Sequence, residues 1–486
     1  MSPTYLLLFV VAYFLILLGV AWLTGRKAGN ADFFIGSRNS HWLVVAFGMI
    51  GTSLSGVTFI SVPGAVGTTG FTYFLIVVGQ VIGYLVVAFV LLPLYYRLNL
   101  TSIYGYLSSR FGPYSYRIGA SFFILSRTLG ATARLYLVVA ILQEAILAQF
   151  GLPFWLTTSV ILLMIVLYTY QGGVKTIVWT DTLQTACMLG GLVICTSFLG
   201  ERLELTLSDS LVAMDAAGLS LMVVTDPLSK LFWIKQLVVG IFIAITMTGM
   251  DQEMMQKNIS VTTVRDAQKN MLLMSVIMLA VVFLFLYLGG LLHLFSAAEG
   301  LAIQGDKLFP TVVLDFLPAW VQIVFIIALI SALFPSADGA ITAITSSTCV
   351  DLIDMPNRPW GEAKKIRVRH AVHLSYAALF LLLVLVFKWV ANASMIGLIL
   401  KIAAYTYGPL LGLFAFGILT QRVVNDRLTP WIALTAPAIC LVLDAFQKSI
   451  FGAYEIGLEM LLINGGLVFV GLYLLSRPPT FELSHT

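Results

Sequence analysis

Ser331, Ser336, Asp338, Thr342, Thr345, Ser346, Ser347 and Thr348 all fall within one apolar stretch, residues 321 to 350, long enough to cross a bilayer. A hydroxyl in hydrocarbon can satisfy itself on the carbonyl four residues back, whereas a carboxylate such as Asp338 needs a proton, a cation or a water-filled path. Ser331, Asp338, Thr342 and Thr345 are separated by seven, four and three residues, so a helix stacks them on one face. Oxygen atoms without nitrogen or sulfur ligands suit a hard cation, which makes the stripe a candidate ion-handling surface. Glue between packed helices is the competing account for any single hydroxyl, and Asp338 is what favours the ion.

Residues 47 to 70, FGMIGTSLSGVTFISVPGAVGTTG, carry a second unusual pattern. Gly48, Gly51, Gly56, Pro63 and Gly64 weaken a helix there, and Thr52, Ser53, Ser55 and Thr58 cluster where it is weakest. A helix that opens in mid-membrane frees carbonyls and presents two half-helix termini, which an ion, a substrate or water must satisfy. The alternative is an unbroken Gly-rich helix packed tightly on a neighbour. GIFIAITMTGM at 240 to 250 repeats the theme more weakly.

These segments need a scaffold, and the composition of the 486 residues supplies it: 59% are hydrophobic and 10% charged, with a mean hydropathy of +0.98. The fold class is an all-α polytopic membrane protein. Thirteen spans are predicted, at 4–24, 43–67, 71–96, 117–149, 153–170, 177–199, 231–250, 271–294, 320–350, 370–390, 394–419, 430–448 and 456–476. The first lacks a basic leader and a small-residue cleavage site, so it reads as a retained helix. Alternate loops hold 18 Lys and Arg residues, beginning with Arg26, Lys27 and Arg38, against five on the other side. That bias predicts a cell-membrane protein with its N-terminus outside and its C-terminus cytoplasmic.

The net charge of +4 is the same bias and calls for no nucleic-acid partner. No loop holds a phosphate-cradling P-loop, which argues against an ATP-driven pump. Cys187, Cys195, Cys349 and Cys440 sit in apolar spans without zinc spacing. If the second and seventh spans correspond, the chain divides into a leading helix and loop (1–42), a first five-helix repeat (43–199) and an extracellular connection (200–230). A second repeat (231–419) and two trailing helices with a tail (420–486) follow. Five being odd, the two repeats oppose one another in the membrane.

Five stretches then resemble the sodium/solute symporter family in its own order: ADFFIGSRNSHW at 31–42, GGVKTIVWTDTLQ at 172–184, TGMDQEMMQKN at 248–258, ALFPSADGAITAITSSTCVD at 332–351 and KIAAYTYGPLLGLF at 401–414. The resemblance implies a ten-helix inverted-repeat core that holds a sodium ion between its broken first helix and its eighth. Matching the motif assigns the carbonyls of Gly51, Leu54 and Ala332 and the hydroxyl of Ser336 to that ion. Pro335 departs from the family, which commonly has Ser or Thr there, so water or a carbonyl freed by the proline must replace an oxygen. The resemblance also places an acid at Asp181. With Asp338 it could form a second cation site or carry a proton; capping its helix or pairing with Lys175 are the bland alternatives. Asp251 and Gln252 belong to a family motif read as a loop anchor.

The predicted solute site lies beside the break and comprises Ser53, Ser55, Thr58, Gln80, Met247, Thr248 and Arg134. Family sugar carriers place amides or acids at several of these positions, whereas this chain has Thr58 and, near Gln80, Ile76 and Val77, which disfavours a neutral hexose. Arg134 is too deep to snorkel and faces either protein or an anionic ligand whose carboxylate fits its planar fork. Arg127 and Lys401 read as structural. The expected function is a sodium-coupled symporter that imports a small organic solute by alternating access. An anion such as a sialic acid or monocarboxylate ranks ahead of amino acids and sugars. Proton coupling through Asp181 and Asp338 is the alternative, and a cation channel the other class. An enzyme is not expected, since no nucleophile, base and orienting acid assemble from the loops. The expected partners are the solute and the lipid bilayer, with the chain acting as a monomer. A tail of ten residues after 476 argues against a signalling domain.

Overall fold

The computed structural model describes residues 3–25, 30–390 and 395–478, so Arg26 and Lys27 of the expected basic face lie outside the described residues. Lipid offers no partner for a backbone amide, and the chain answers by making nearly all of it helical. The helices that build the molecule are α1 (Pro3–Gly25), α2 (Trp42–Ser53), α3 (Gly56–Thr69), α4 (Tyr73–Arg97), α5 (Pro113–Phe150), α6 (Phe154–Gly172) and α7 (Val174–Arg202). They continue with α8 (Trp233–Gly249), α9 (Gln252–Ile259), α10 (Val264–Ala298), α11 (Ala319–Leu352), α12 (Glu362–Val390), α13 (Met395–Leu419), α14 (Asp426–Ala445) and α15 (Met460–Leu474).

Among the described residues nine helices are long and apolar enough to cross a membrane, or eleven when each bent pair is one span. The remaining two of the thirteen expected spans correspond to shorter apolar helices, 154–170 and 460–474. Two spans are broken. α2 and α3 meet at 53°, and α8 and α9 at 64°. The sequence signals for both breaks are the glycines already noted. The length of the second was not legible: residues 252–259 read as the start of a cytoplasmic loop, whereas the structure makes them α9, with all eight residues buried. QEMMQKNI is too polar to look like a span, and it is buried with Gln252, Lys257 and Asn258 hydrogen-bonded inside the protein, while the Gln256 amide is buried without a partner among the described residues.

Small residues set the closest crossings. Gly79 and Gly83 on α4 lie against Leu237 and Ile241 of α8, and Gly240 lies against Ile76, so a Cβ at any of them would strike a carbonyl of the facing helix. α7 packs on both α2 and α11, while α13 packs on α5 and α15. Gly173 joins α6 to α7 at a φ of +51°, in a turn where an added Cβ would meet the Phe33 ring at 2.6 Å. Outside the spans, the connection after α7 forms one short helix, Leu207–Ala216, and 423–424 pairs antiparallel with 476–477.

Candidate functional site

The last intrahelical bond of α2 runs from Leu54 N to Ile50 O at 2.8 Å, and the first of α3 runs from Phe59 N to Ser55 O at 3.1 Å. The carbonyls of Gly51, Thr52, Ser53 and Leu54 are therefore left without an intrahelical donor. They face α11. An added Cβ on Gly56 would stand 3.8 Å from the backbone of Leu333, next to Ala332. Gly51 is required by α7, since a Cβ there would collide with the Thr185 hydroxyl.

The polar stripe on α11 divides into two kinds of residue. At its ends the hydroxyls are glue: Ser331 donates to the Ile327 carbonyl at 2.7 Å and is hydrogen-bonded to the Tyr13 hydroxyl of α1 at 2.6 Å. Thr345 donates to Ile341 and contacts His373 on α12, and Thr348 meets Tyr376. In the middle, Ser336 donates only to its own helix, at Leu333 O and 2.9 Å, which leaves its lone pairs available. Thr342 Oγ1 is buried with no partner. Pro335 has no N–H, so the carbonyl of Ser331 loses its usual donor four residues on.

All seven predicted solute residues line one cavity of about 100 Å³: Ser53, Ser55, Thr58, Gln80, Arg134, Met247 and Thr248. Tyr73, Ile396 and Leu400 belong both to it and to a larger cavity of about 800 Å³ bordered by 65–72 and 444–460, so the two adjoin. Arg127 also lines the small cavity, but its guanidinium is fully engaged. It grips Asp251 with two bonds of 2.7 and 2.9 Å and lies 3.1 Å from Glu253. Arg134, two turns along the same helix, makes no hydrogen bond or ion pair with the described residues.

The acids do not pair as the sequence suggested. Asp181 Oδ2 accepts from Lys257 Nζ at 2.6 Å, and that ammonium also donates to Thr52 Oγ1 at 2.6 Å. Asp338 instead accepts from the Tyr168 hydroxyl at 2.6 Å and from Gly339 N. Each carboxylate thus has its own hydrogen-bond partners. Lys175 is not the partner of Asp181 in this ion pair; Lys257 is, at 1% exposure.

At the second break protein side chains reach the groups at the joint itself. Tyr95 and Tyr104 donate to the carbonyls of Gly249 and Met250 at 2.8 and 3.0 Å. Gln252 accepts from Ile103 N and donates to Thr101 O, while Asp251 caps α9 through Met254 N at 3.1 Å. Tyr407 of α13 also donates to Asp251. Asp251 and Gln252 are anchors, and Lys401 forms a 2.7 Å pair with Asp444 of α14.

Sequence reasoning missed Lys257, Thr52 as its partner, Thr185 and Tyr168. Lys257 counted among the loop charges because it follows an acid- and amide-rich run. The usable signal was the intramembrane acid Asp181, which demanded a cation from somewhere in the chain. Among the described residues no group of three or more His, Cys, Asp or Glu could hold a metal, and the oxygens on offer here are carbonyls, hydroxyls and single carboxylates.

Comparison with known proteins agrees with this geometry. The human sodium/iodide cotransporter is 26% identical over 442 residues, 86% of this chain and 67% of that protein. The mouse sodium-coupled monocarboxylate transporter 1 is 26% identical over 417 residues, 82% and 66%. The chain thus spans about two thirds of the length of these relatives. The sodium/sialic acid symporter SiaT of Proteus mirabilis is 23% identical over 505 residues, 99% and 97%. A substrate-bound, outward-open structure of a Na+-coupled sialic acid symporter has the same fold, with a TM-score of 0.82 at 18% identity over 98% of this chain and 99% of the other. The sequence profile of the Sodium:solute symporter family matches residues 33–427, and the chain belongs to that family of sodium-coupled transporters.

Proposed function

We propose that this protein imports a small organic anion together with sodium, by alternating access around the cavity beside the first broken span. The observation that carries this reading is the pairing of two unmet needs. Among the described residues the carbonyls of Gly51 to Leu54 end without donors, and Arg134 lines the adjoining cavity without a hydrogen-bond or ion-pair partner. Gly51, Leu54, Ala332 and Ser336 would hold the sodium ion, with the Ser331 carbonyl or a water in the place that Pro335 leaves. Asp338, two residues beyond Ser336, contributes negative charge to that region. Arg134 would take the solute carboxylate, while Ser53, Ser55, Thr58, Gln80 and Thr248 orient its polar groups and Met247 covers its apolar side.

Coupling follows from adjacency: sodium bound to the end of α2 fixes the backbone that carries Ser53 and Ser55, so each ligand favours the conformer the other needs. Iodide, a monocarboxylate and a sialic acid, the solutes in the relatives' names, are all anions at neutral pH, which supports the choice of class. Two opposed repeats, 43–199 and 231–419, support the mechanism. Each begins on a broken span, and the last helix of each packs on the third span of the other, α7 on α11 and α13 on α5. The distribution of Lys and Arg supports an orientation with the N-terminus outside and the C-terminus in the cytoplasm.

Proteoliposomes offered labelled sialic acid, lactate, proline or glucose test the reading. An inward sodium gradient should drive accumulation of one of the two anions, and a potassium gradient should not. Sodium-independent accumulation would contradict it, as would ion currents far above carrier rates, which belong to a channel.

A further inference from the structure

The pair of Lys257 and Asp181 has a consequence for how many ions the protein carries. The ammonium comes from α9, the inner limb of the second broken span, the carboxylate from α7, and Thr52 from the end of α2, one residue past Gly51. All three are at least 96% buried. A buried carboxylate without a counter-charge is costly in a membrane, and a mobile cation is one remedy. Here the chain supplies the cation itself. At 2.6 Å from both Asp181 Oδ2 and Thr52 Oγ1, Lys257 Nζ already neutralises the acid and donates to the neighbouring hydroxyl, the groups a small cation would otherwise draw on.

We propose that Lys257 is a tethered cation occupying the place of a second sodium ion at Asp181, so that this protein binds a single sodium ion. The inference rests on the sodium-coupled reading above. Asp181 Oδ1 and Thr185 Oγ1 remain unpartnered, so the oxygens for a second ion are present once the ammonium is removed.

Equilibrium binding of ²²Na⁺ to the purified full-length protein, without solute, tests this. The wild type should saturate at one ion per chain along a hyperbola. Lys257→Gln should saturate at two, and the double variant Lys257→Gln/Asp181→Asn, which buries no lone charge, should return to one. The wild type and the double variant decide the matter even if Lys257→Gln does not fold. Two ions in the wild type with one lost in the double variant would overturn the inference alone. A wild type that binds no sodium would overturn the sodium-coupled reading and this inference with it.

Discussion

The two broken spans share a geometry and differ in who satisfies them. At the second, the carbonyls of Gly249 and Met250 receive tyrosine hydroxyls, and Gln252, Asp251 and Arg127 stitch the joint to α5 and to the loop after α4. At the first, no donor among the described residues reaches the carbonyls of Gly51 to Leu54. An orphaned buried carbonyl costs about 1–3 kcal/mol, so several together make a binding site for whatever can satisfy them. A break in a membrane helix is thus not by itself an ion site. Which hydroxyls and ammonium groups stand within reach decides whether it is a joint or a receptor.

The sharpest way to break this contrast is at Asp251. Asp251→Ala removes both Arg127 bonds, the α9 cap and the Tyr407 contact, leaving Arg127 facing Glu253 alone. The expected loss is about 3–5 kcal/mol, read as a collapsed melting temperature in detergent that added sodium does not restore. Arg134→Ala should cost about 1.5–3 kcal/mol in solute binding, a rise in KM of about tenfold or more for carboxylates. Its melting temperature should stay close to wild type, because Arg134 has no hydrogen-bond or ion-pair partner among the described residues to lose. Tyr104→Phe should lower stability by about 1 kcal/mol by uncapping Met250, with half-saturating sodium unchanged. Ser336→Ala should have the smallest effect, raising half-saturating sodium about two- to tenfold with little change in stability, since it loses only a bond within its own helix.

How legible this was from sequence depends on the kind of signal. The first break is written in Gly51, Gly56 and the surrounding hydroxyls, and the seven solute residues converge on one cavity because they lie in that broken span and on three spans beside it. The stripe on α11 was legible as a surface but not as a division of labour. Ser331 and Thr345 carry the same hydroxyl chemistry as Ser336, and only the presence of Tyr13 and His373 opposite them makes them glue. Lys257 was hidden for a related reason. Local polarity put it in a loop, whereas a carboxylate 76 residues earlier in the chain holds it inside. Long-range charge pairing leaves no periodicity to read.

The central claim is that sodium binds at the first break and not at the second. Binding of ²²Na⁺ to wild type, Ser336→Ala and Tyr104→Phe measured side by side tests it most directly. The account predicts weakened binding in Ser336→Ala and wild-type affinity in Tyr104→Phe. Unchanged affinity in Ser336→Ala together with loss in Tyr104→Phe would contradict it.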